Sequence, residues 1–326
     1  MKGEILKLLK ETDGYVSGQE LCRRFGVSRT AVWKVINQLK EEGYEIEAVR
    51  NRGYALKGAG DVLSEAELLS CLKTEWAGGR TVYFDATDST NIQARRLAEA
   101  HAPHGTLVVS DRQDGGKGRR GRSWASPSGV GIWMSLILRP EIAPSSASML
   151  TLAAALAVRE GIREETGLSP LIKWPNDLVL NGKKICGILT EMSTELMEIQ
   201  YVITGIGINV NQREFPSEIR DTATSLSLEA GRCFRRSSLI AAILKAFEKD
   251  YAAFLKTGDL SLLLEEYNAC LVNRGKEVCI LDPSGEYRAV AEGIDESGSL
   301  LVTLPDGTRR EIISGEVSVR GIYGYV

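Results

Sequence analysis

The chain has 326 residues, of which 43% are hydrophobic and 25% are charged, and its formal net charge is −3 at pH 7. This length exceeds one ordinary core, so we expect two or three domains of a soluble globular protein. No apolar run reaches the ~18 residues of a membrane span, and the first residues lack the apolar stretch of a signal peptide. We therefore expect a cytoplasmic protein without a membrane span and with no membrane partner.

The cysteine and histidine content limits the chemistry. The six cysteines show no metal-ligand spacing, so the simplest interpretation is reduced thiols in the core. The two histidines, His101 and His104, flank Pro103 in a predicted loop at the end of a helix. We therefore expect neither a metal site built by the protein itself nor general-base catalysis by histidine.

The first 57 residues are mildly basic, with 11 Lys and Arg against 8 Asp and Glu. Capping residues and apolar spacing predict three short helices followed by a β-hairpin. The signals are, in chain order, the apolar face Ile5, Leu8 and Leu9, the capping box Ser17 to Glu20, the cap Ser28, the helix stop Gly43, and the hairpin strands 44–49 and 53–56.

Three short helices and a hairpin predict a winged helix-turn-helix, which places its third helix in the major groove of DNA. The alternative is a protein-interaction module whose polar face is only solvated. Trp33 also has two interpretations, contact with DNA or completion of the core. The side chains expected at DNA are Ser28, Arg29, Thr30, Trp33, Lys34 and Asn37 on the third helix, and Arg50 and Arg52 at the hairpin tip.

A predicted short linker, residues 57–61, leads into a region where helices and strands intermingle. A second capping box, Ser64 to Glu67, opens this region. Hairpins beside longer connections indicate a mixed α+β sheet rather than a doubly wound parallel one. The predicted helices are 91–100, 150–165, 237–256 and 260–271, and the predicted strands include 81–84, 106–110, 131–138 and 202–210.

A glycine-rich cationic loop lies between two of these strands, from Asp114 to Trp124. Its four glycines alternate with Lys117, Arg119, Arg120 and Arg122. A flexible cationic loop between buried strands suggests a site that closes over phosphate or carboxylate. A solvated loop or an RGG-like nucleic-acid segment is the alternative, since no Gly-Lys-Ser/Thr ends the loop as in the phosphate-binding pattern.

A second polar segment is Lys-Trp-Pro-Asn-Asp, residues 173–177, where a Pro-Asn-Asp turn directs side chains out of a sheet edge. A hairpin follows, with Asn181-Gly182 as its turn and Lys184 just beyond it. The later strand 202–210 carries Gly205 and Gly207, which we expect to allow close approach by a ligand. The third glycine of a dinucleotide fingerprint is missing.

The last fifty residues have an all-β pattern. Short apolar runs are separated by turn sequences rich in Asp, Pro, Ser and Gly, which predicts a small barrel. The predicted strands are 278–281, 289–294, 300–304 and 312–319.

Four motifs, GKGRRGRSW, KWPNDL, GKKICGIL and GIGINV, occur in this order with Asp88-Ser-Thr-Asn91 before them. Together they resemble the biotin protein ligases over about residues 64 to 326. With the predicted winged helix-turn-helix before them, the whole chain is similar to the bifunctional biotin ligase and biotin operon repressor family. The resemblance implies an α+β multidomain protein. Its parts would be a winged helix-turn-helix at 1–60, a catalytic domain at 61–273 with a mixed sheet like that of class II aminoacyl-tRNA synthetases, and an SH3-like β-barrel at 274–326.

The resemblance also implies an activity. Ligases of this family join the biotin carboxylate to the α-phosphate of ATP, with Mg²⁺, and pass the acyl group of biotinyl-5′-AMP to a carrier lysine. Both half-reactions depend mainly on positioning and charge stabilisation, which fits a cationic loop without an acid–base dyad. The implied partners are a biotin carboxyl carrier protein domain, operator DNA and a second copy in a ligand-promoted homodimer.

Site roles carry over by motif. Lys184, Arg119 and Asp177 would act in catalysis. Biotin would be bound by Ser89, Thr90, Asn91, Gln113, Gly116, Lys117, Gly118, Arg119 and Lys184. The nucleotide would be bound by Arg119, Arg122, Trp124, Asn176, Lys184, Gly207, Asn209 and Arg320.

One departure concerns adenine. Some family members stack an aromatic residue on the base in the segment after the GIGINV strand, whereas residues 221–226 contain none. Two other functions stay open at this point. One is a repressor that senses biotin without catalysis, and the other is a lipoate-type ligase, which uses similar chemistry on a similar fold.

Overall fold

A computed structural model describes residues 1–282, 285–313 and 318–321. The amino-terminal part of the chain, called the head below, contains three helices and one antiparallel hairpin around its own apolar core. As predicted, the Ser17 and Ser28 hydroxyls accept capping hydrogen bonds from the Glu20 and Ala31 amides, at 3.1 and 3.2 Å. The elements are α1 (Lys2–Glu11), α2 (Gly18–Phe25), α3 (Arg29–Glu41), β1 (Tyr44–Val49) and β2 (Gly53–Ala59).

The predicted linker 57–61 is wrong for most of its length. Residues 57–59 continue strand β2, with Ala59 paired to Tyr44. Asp61 is bound to the body, since its carboxylate accepts hydrogen bonds from the amide and the Nε of Arg236, at 2.8 and 2.7 Å. The glycines suggested a flexible tether, but backbone pairing and a buried ion pair hold this segment in place.

The central part of the chain, called the body below, is built on one seven-stranded mixed sheet, as predicted. Its strand order is β3-β4-β5-β9-β8-β7-β6, and only the β3–β4 pair is parallel. The strands are β3 (Thr81–Phe84), β4 (Leu107–Ser110), β5 (Gly131–Leu138), β6 (Leu171–Lys173), β7 (Asp177–Leu180), β8 (Lys183–Glu195) and β9 (Glu198–Asn209). The helices are α4 (Glu65–Cys71), α5 (Thr90–Glu99), α6 (Met149–Thr166), α7 (Leu226–Ala230), α8 (Arg236–Thr257) and α9 (Leu264–Cys270).

Alternation along the central strands assigns the two faces of the sheet. Leu107 and Val109 join the large core with α6 and α8, whereas Val108 joins a smaller cluster with α5. The apolar helices α6 and α8 pack on each other over that larger core. The sheet is therefore covered on both faces, and its strand ends remain to form a site.

Two features of the body were not predicted. The β8–β9 hairpin extends to Glu195 and resumes at Glu198, beyond the predicted limits, because the outer ends of the two strands contain isolated apolar residues among polar ones and no apolar run. Helix α7 has only five residues, too few for apolar periodicity to register.

The carboxy-terminal part of the chain, called the tail below, forms a five-stranded antiparallel sheet in the order β13-β12-β11-β10-β14. The single strand predicted at 312–319 is wrong, because this run is divided between β13 and β14 at opposite edges of the sheet. The Trp174 indole donates to the Gly298 carbonyl at 3.0 Å and ties the tail to the body. The strands are β10 (Glu277–Asp282), β11 (Gly285–Ile294), β12 (Leu300–Thr303), β13 (Arg309–Ile312) and β14 (Ser318–Gly321).

The predicted α+β multidomain architecture is thus confirmed. Among the helices within the described ranges, none combines the length and apolar character needed to cross a bilayer.

Candidate active site and DNA-reading surface

A cavity of about 360 Å³ lies where the central strands meet the cationic loop. It brings together most of the residues that sequence motifs assigned to biotin and nucleotide, although they come from distant parts of the chain. The predicted residues that line it are Ser89, Thr90, Asn91, Gln113, Lys117, Gly118, Arg119, Arg122, Trp124, Asn176, Asp177, Lys184, Gly207 and Asn209.

Part of the cavity lining is a network of hydrogen-bonded polar side chains. The Gln113 carbonyl oxygen accepts hydrogen bonds from the amide and the hydroxyl of Thr90, at 2.8 and 3.1 Å, and its NH2 group donates to the Ser126 hydroxyl at 2.8 Å. The Ser135 hydroxyl donates to the Asn91 carbonyl oxygen at 2.6 Å. Each amide is therefore fixed in orientation, which suits an uncharged ligand group that both donates and accepts.

The glycines of strands β8 and β9 make room for protein side chains. A Cβ on Gly207 would lie 2.6 Å from the Trp124 indole nitrogen, and one on Gly187 would lie 2.9 Å from the same ring. A Cβ on Gly205 would overlap the Asn91 amide. The expectation that Gly205 and Gly207 admit a ligand directly is therefore corrected, since Trp124 and Asn91 occupy that space and form the cavity wall.

Another part of the cavity lining, called the charged end below, consists of Lys184, Asp177, Arg119 and Asn176. The Lys184 ammonium lies 2.6 Å from an Asp177 carboxylate oxygen and 5.1 Å from the centroid of the Trp124 ring. Arg119 donates to the Asn176 carbonyl oxygen at 3.1 Å. Arg119 is partly buried, so its positive charge is poorly solvated, and this lowers the pKa of Arg119. An anion at this end would meet two cations that water screens weakly.

The cationic loop is folded onto itself rather than extended. The Gly118 amide donates to the Arg122 carbonyl at 2.7 Å, and the Trp124 amide donates to the Gly116 carbonyl at 2.9 Å. Arg120 adopts a left-handed conformation with φ 56°. The loop contributes a wall of the cavity, so the interpretation as a merely solvated loop is wrong.

Two predicted residues are placed differently from the rest. Gly116 does not line the cavity, because it packs inside the loop against the Trp124 backbone, Ser126 and Gln113. The backbone of Arg320 lies on β14 next to Cys279, but its side chain lies outside the described part of the structure. Its role at the nucleotide stays a prediction.

The structure also adds residues that sequence motifs did not indicate. Phe215 lines the cavity from the segment after β9, six residues before the stretch 221–226 in which an aromatic residue was sought. Ser126 and Ser135 orient Gln113 and Asn91. A serine in a loop or a strand carries no pattern of its own, so only the three-dimensional arrangement reveals these roles.

The chain just before the cationic loop is held by a buried ion pair between Asp111 and Arg236. The Arg236 guanidinium donates to the Asp111 carboxylate at 2.7 Å and is 3% exposed. Asp111 in turn accepts from the Gly129 amide at 3.1 Å and from the Ser128 hydroxyl. Burial acts to raise the pKa of Asp111, but the bonds from Ser128 and Arg236 outweigh it and leave that pKa below its ordinary value. The loop is thus anchored to helix α8.

The head presents a separate polar surface. Trp33 is 58% exposed, so the interpretation that it completes the core is wrong. The Arg52 guanidinium lies 4.8 Å from the centroid of the Tyr15 ring, which orients it at the hairpin tip. Of the residues predicted to contact DNA, Asn37 is half-buried. The exposed ones are Ser28, Arg29, Thr30, Trp33, Lys34, Arg50 and Arg52.

Three family models match the chain in order. An HTH domain matches residues 3–55, the biotin/lipoate A/B protein ligase family matches residues 83–209, and the biotin protein ligase C terminal domain matches residues 275–320. The three models therefore cover the head, the mixed sheet with its cavity, and the tail.

Relatives of known name span nearly the whole chain. It is 44% identical over 324 residues to the bifunctional ligase/repressor BirA of Bacillus subtilis, covering 98% of each chain, and 30% identical over 307 residues to BirA of Escherichia coli, covering 93% and 92%. The solved structure of biotin protein ligase from Aquifex aeolicus in complex with biotin and ATP matches with a TM-score of 0.66 and 33% identity, over 74% of this chain and 99% of that one. The chain belongs to the family of bifunctional ligase/repressor proteins named BirA.

Proposed function

We propose that the chain is an ATP-dependent biotin protein ligase that also acts as a biotin-controlled repressor. The observation that carries the proposal is that one cavity is lined both by a fixed amide network and by the cations Lys184 and Arg119. Such a cavity suits an acid with an uncharged polar head and an apolar body. Biotin has this structure.

Biotin would enter with its ureido head at the amide network. Ser89, Thr90 and Gln113 would bond the ureido oxygen and N–H groups, and Asn91 would hold the wall through Ser135. The apolar side chains of Met134 and Ile206 would enclose the thiophane ring and the valeryl chain. The carboxylate would then reach the charged end.

The first half-reaction would form biotinyl-5′-AMP. A biotin carboxylate oxygen attacks the α-phosphorus of ATP, and pyrophosphate leaves. Lys184 and Arg119 would offset the negative charge at the carboxylate–phosphate junction, and Arg122 would hold the leaving phosphates. Gly116, Lys117 and Gly118 would belong to the loop that closes over the adenylate.

Magnesium would arrive with the triphosphate. The charged end offers the Asp177 carboxylate and the Asn176 amide oxygen, and Mg²⁺ held mainly by phosphates and water needs only one or two such ligands. These donors therefore fit the ion without a protein cage. When bound, the ion would neutralise phosphate charge.

The second half-reaction would transfer the acyl group. The ε-amine of the carrier lysine attacks the acyl carbon, AMP leaves, and the amine loses a proton. The ion pair between Lys184 and Asp177 suggests a separate role for each residue. When Lys184 moves towards the phosphate, the Asp177 carboxylate becomes available to the incoming ammonium of the carrier lysine. Asp177 would hold that amine and accept its proton.

The nucleotide base would lie beside the Trp124 indole. Trp124 contacts Gly207, and its buried indole N–H has no hydrogen-bond partner within the described ranges. Phe215 gives a second aromatic side chain at the same cavity. Asn209 would line the nucleotide, and Arg320 would reach it from the tail. The adenine ring thus has aromatic cover although residues 221–226 provide none.

Repression would use the head. The exposed third helix would read operator DNA in the major groove, with the hairpin tip beside it. Biotinyl-5′-AMP would be the corepressor, because an anionic ligand can order the cationic loop, and an ordered loop can complete a homodimer surface. The carrier protein domain and the operator would therefore compete for one liganded state, in a cytoplasmic protein.

Acyl transfer to a carrier domain tests this function against its alternatives. The chain is incubated with ATP, a purified biotin carboxyl carrier domain, and either biotin or lipoate, and the mass of the carrier is measured. We expect biotin to be attached and lipoate to be left in solution. Attachment of lipoate alone would make the chain a lipoate ligase, and no attachment of either acid would make it a non-catalytic sensor.

A further inference from the structure

We propose that Glu67 is a positioning residue for DNA recognition, which fixes the angle between the helix-turn-helix head and the catalytic body. The proposal rests on the operator binding described above. Its basis is a buried carboxylate that receives hydrogen bonds from both parts of the protein. The second capping box of the sequence contains this residue, but capping uses only its backbone amide, which donates to Ser64.

The Glu67 carboxylate is 0% exposed and is shared between head and body. From the head, the Lys10 ammonium of α1 lies 2.7 Å away, and the Tyr44 hydroxyl of β1 donates to the other oxygen. From the body, the Ser237 hydroxyl donates at 3.0 Å and the Arg235 guanidinium at 3.3 Å, both near the start of α8. Two side chains from the head and two from the body therefore converge on one carboxylate.

The charge of this carboxylate is maintained in the buried position. Burial acts to raise the pKa of Glu67, but the hydrogen bonds from Lys10 and Tyr44 outweigh burial and hold that pKa below its ordinary value. An ionised group surrounded by oriented donors resists rotation more than an apolar contact does, because each donor has its own angular requirement. The contact therefore selects one arrangement of head and body.

Packing around Glu67 leaves little room for another arrangement. Ala66, its neighbour on α4, belongs to the apolar core of the head. A Cβ on Gly3 of α1 would lie 3.3 Å from the Ala66 carbonyl oxygen, so α1 and α4 approach closely. The connecting chain is also fixed, since only Gly60 lies between strand β2 and Asp61. The head is thus docked on the body rather than tethered to it.

A fixed head has a consequence for DNA. A helix-turn-helix dimer reads two half-sites whose separation matches the separation of its two recognition helices. If the body carries the dimer contact, the angle that Glu67 fixes sets this separation. A loosened head would lose affinity, because the freedom of the head is lost on binding, and it would also accept other separations.

The test compares Glu67→Gln with Glu65→Gln, an exposed glutamate on the same helix. A duplex is first selected by the wild-type chain, with biotin and ATP, from a library of palindromes with random half-sites. The selected duplex is then made with its central spacer shortened or lengthened by one and two base pairs. Affinity of each protein for each duplex is measured by titration, and pyrophosphate exchange is measured in parallel.

We expect Glu67→Gln to lose roughly tenfold or more in affinity for the selected duplex, because the half-buried Lys10 of the head loses its charged partner. We also expect a flatter dependence on spacer length, with pyrophosphate exchange within about twofold of wild type, since Glu67 does not line the cavity. Glu65→Gln should match wild type in all three. Tyr44→Phe removes one hydroxyl only, and it should show the same flattening in weaker form in a fully folded protein.

Two results would overturn the inference. Unchanged affinity and an unchanged spacer profile in both Glu67→Gln and Tyr44→Phe would show that Glu67 does not position the head. If the wild-type chain selects no duplex from the library, the proposed repressor function fails, and this inference fails with it.

Discussion

The side-chain nitrogen of Lys184 lies 2.6 Å from a carboxylate oxygen of Asp177, and both residues belong to the β7–β8 hairpin beside the cavity. The hairpin turn at Asn181 and Gly182 sets this pairing, since it puts Lys184 on the strand that returns past Asp177. The ion pair is partly buried, with the two side chains 24% and 14% exposed. A cation held in this way can respond to an anion without first losing a full hydration shell.

Removal of the lysine should therefore affect chemistry first. We expect Lys184→Ala to lower the rate of adenylate formation by ~10²–10³, comparable to the loss of one oxyanion-type contact. The neighbouring Lys183→Ala is the matched control, because Lys183 does not line the cavity. Single-turnover formation of biotinyl-5′-AMP is the measurement. A near-normal rate in Lys184→Ala would remove Lys184 from the mechanism.

The contact between Gly207 and Trp124 predicts a steric effect on nucleotide binding. A Cβ at Gly207 would lie 2.6 Å from the indole nitrogen, so Gly207→Ala should displace the ring and raise KM for ATP by roughly tenfold or more. In a Trp124→Phe background the ring is smaller, and the same substitution should have a smaller effect. Equal effects of Gly207→Ala in the two backgrounds would show that the indole is not what the methyl group meets.

The loop arginine predicts a link between catalysis and self-association. Arg119 lines the cavity and donates a hydrogen bond to Asn176, so Arg119→Gly should weaken retention of the adenylate, which would then appear free in solution. We also expect ligand-promoted self-association, followed by sedimentation, to weaken. Arg112→Gly is the control, because Arg112 is exposed and pairs with Asp114 outside the cavity. Adenylate retention equal to wild type in Arg119→Gly would contradict the proposed loop closure.

Asp250 predicts a pH dependence of stability. Burial raises the pKa of Asp250 on α8 to about 7, with Glu266 and Glu160 adding to the effect and Lys249 opposing it. Below about pH 4 the carboxyl is neutral in both the folded and the unfolded chain. Between about pH 4 and pH 7 only the unfolded chain ionises it, so the free energy of unfolding falls by up to about 1.4 kcal/mol per pH unit.

Asp250→Asn removes this titration. Its free energy of unfolding relative to wild type should rise as the pH increases from 4 to 7 and stay level above that range. Urea denaturation at a series of pH values measures the difference, and Asp13→Asn at an exposed site of the head is the control. A difference between Asp250→Asn and wild type that is constant with pH would show that Asp250 is ionised throughout.

Local signals in the sequence predicted much of the fold. Ser17 and Ser28 cap their helices, and Asn181 with Gly182 forms the turn of the hairpin, because each signal acts within four residues. Most of the residues that motifs assigned to biotin and nucleotide line one cavity, whereas Gly116 does not. The role of Glu67 could not be predicted, since its partners Lys10 and Arg235 are 57 and 168 residues away.

The errors have the same physical origin. Glycine indicates room for something, but the sequence does not show that Trp124 fills the space at Gly207 and that Asn91 fills it at Gly205. Phe215 lies in a segment without periodicity, so only the fold places it at the cavity. The segment 57–61 resembled a linker by composition, whereas its pairing with β1 is a non-local property.

Biotin-dependent exchange of labelled pyrophosphate into ATP is the most direct test of the account. This exchange requires reversible formation of biotinyl-5′-AMP in the cavity described above, and it needs neither a carrier protein nor DNA. We predict exchange with biotin, none without an acid, and a loss of ~10²–10³ in Lys184→Ala. Exchange that is absent with biotin in the folded wild-type chain, or equal in Lys184→Ala, would contradict the proposed chemistry of the cavity.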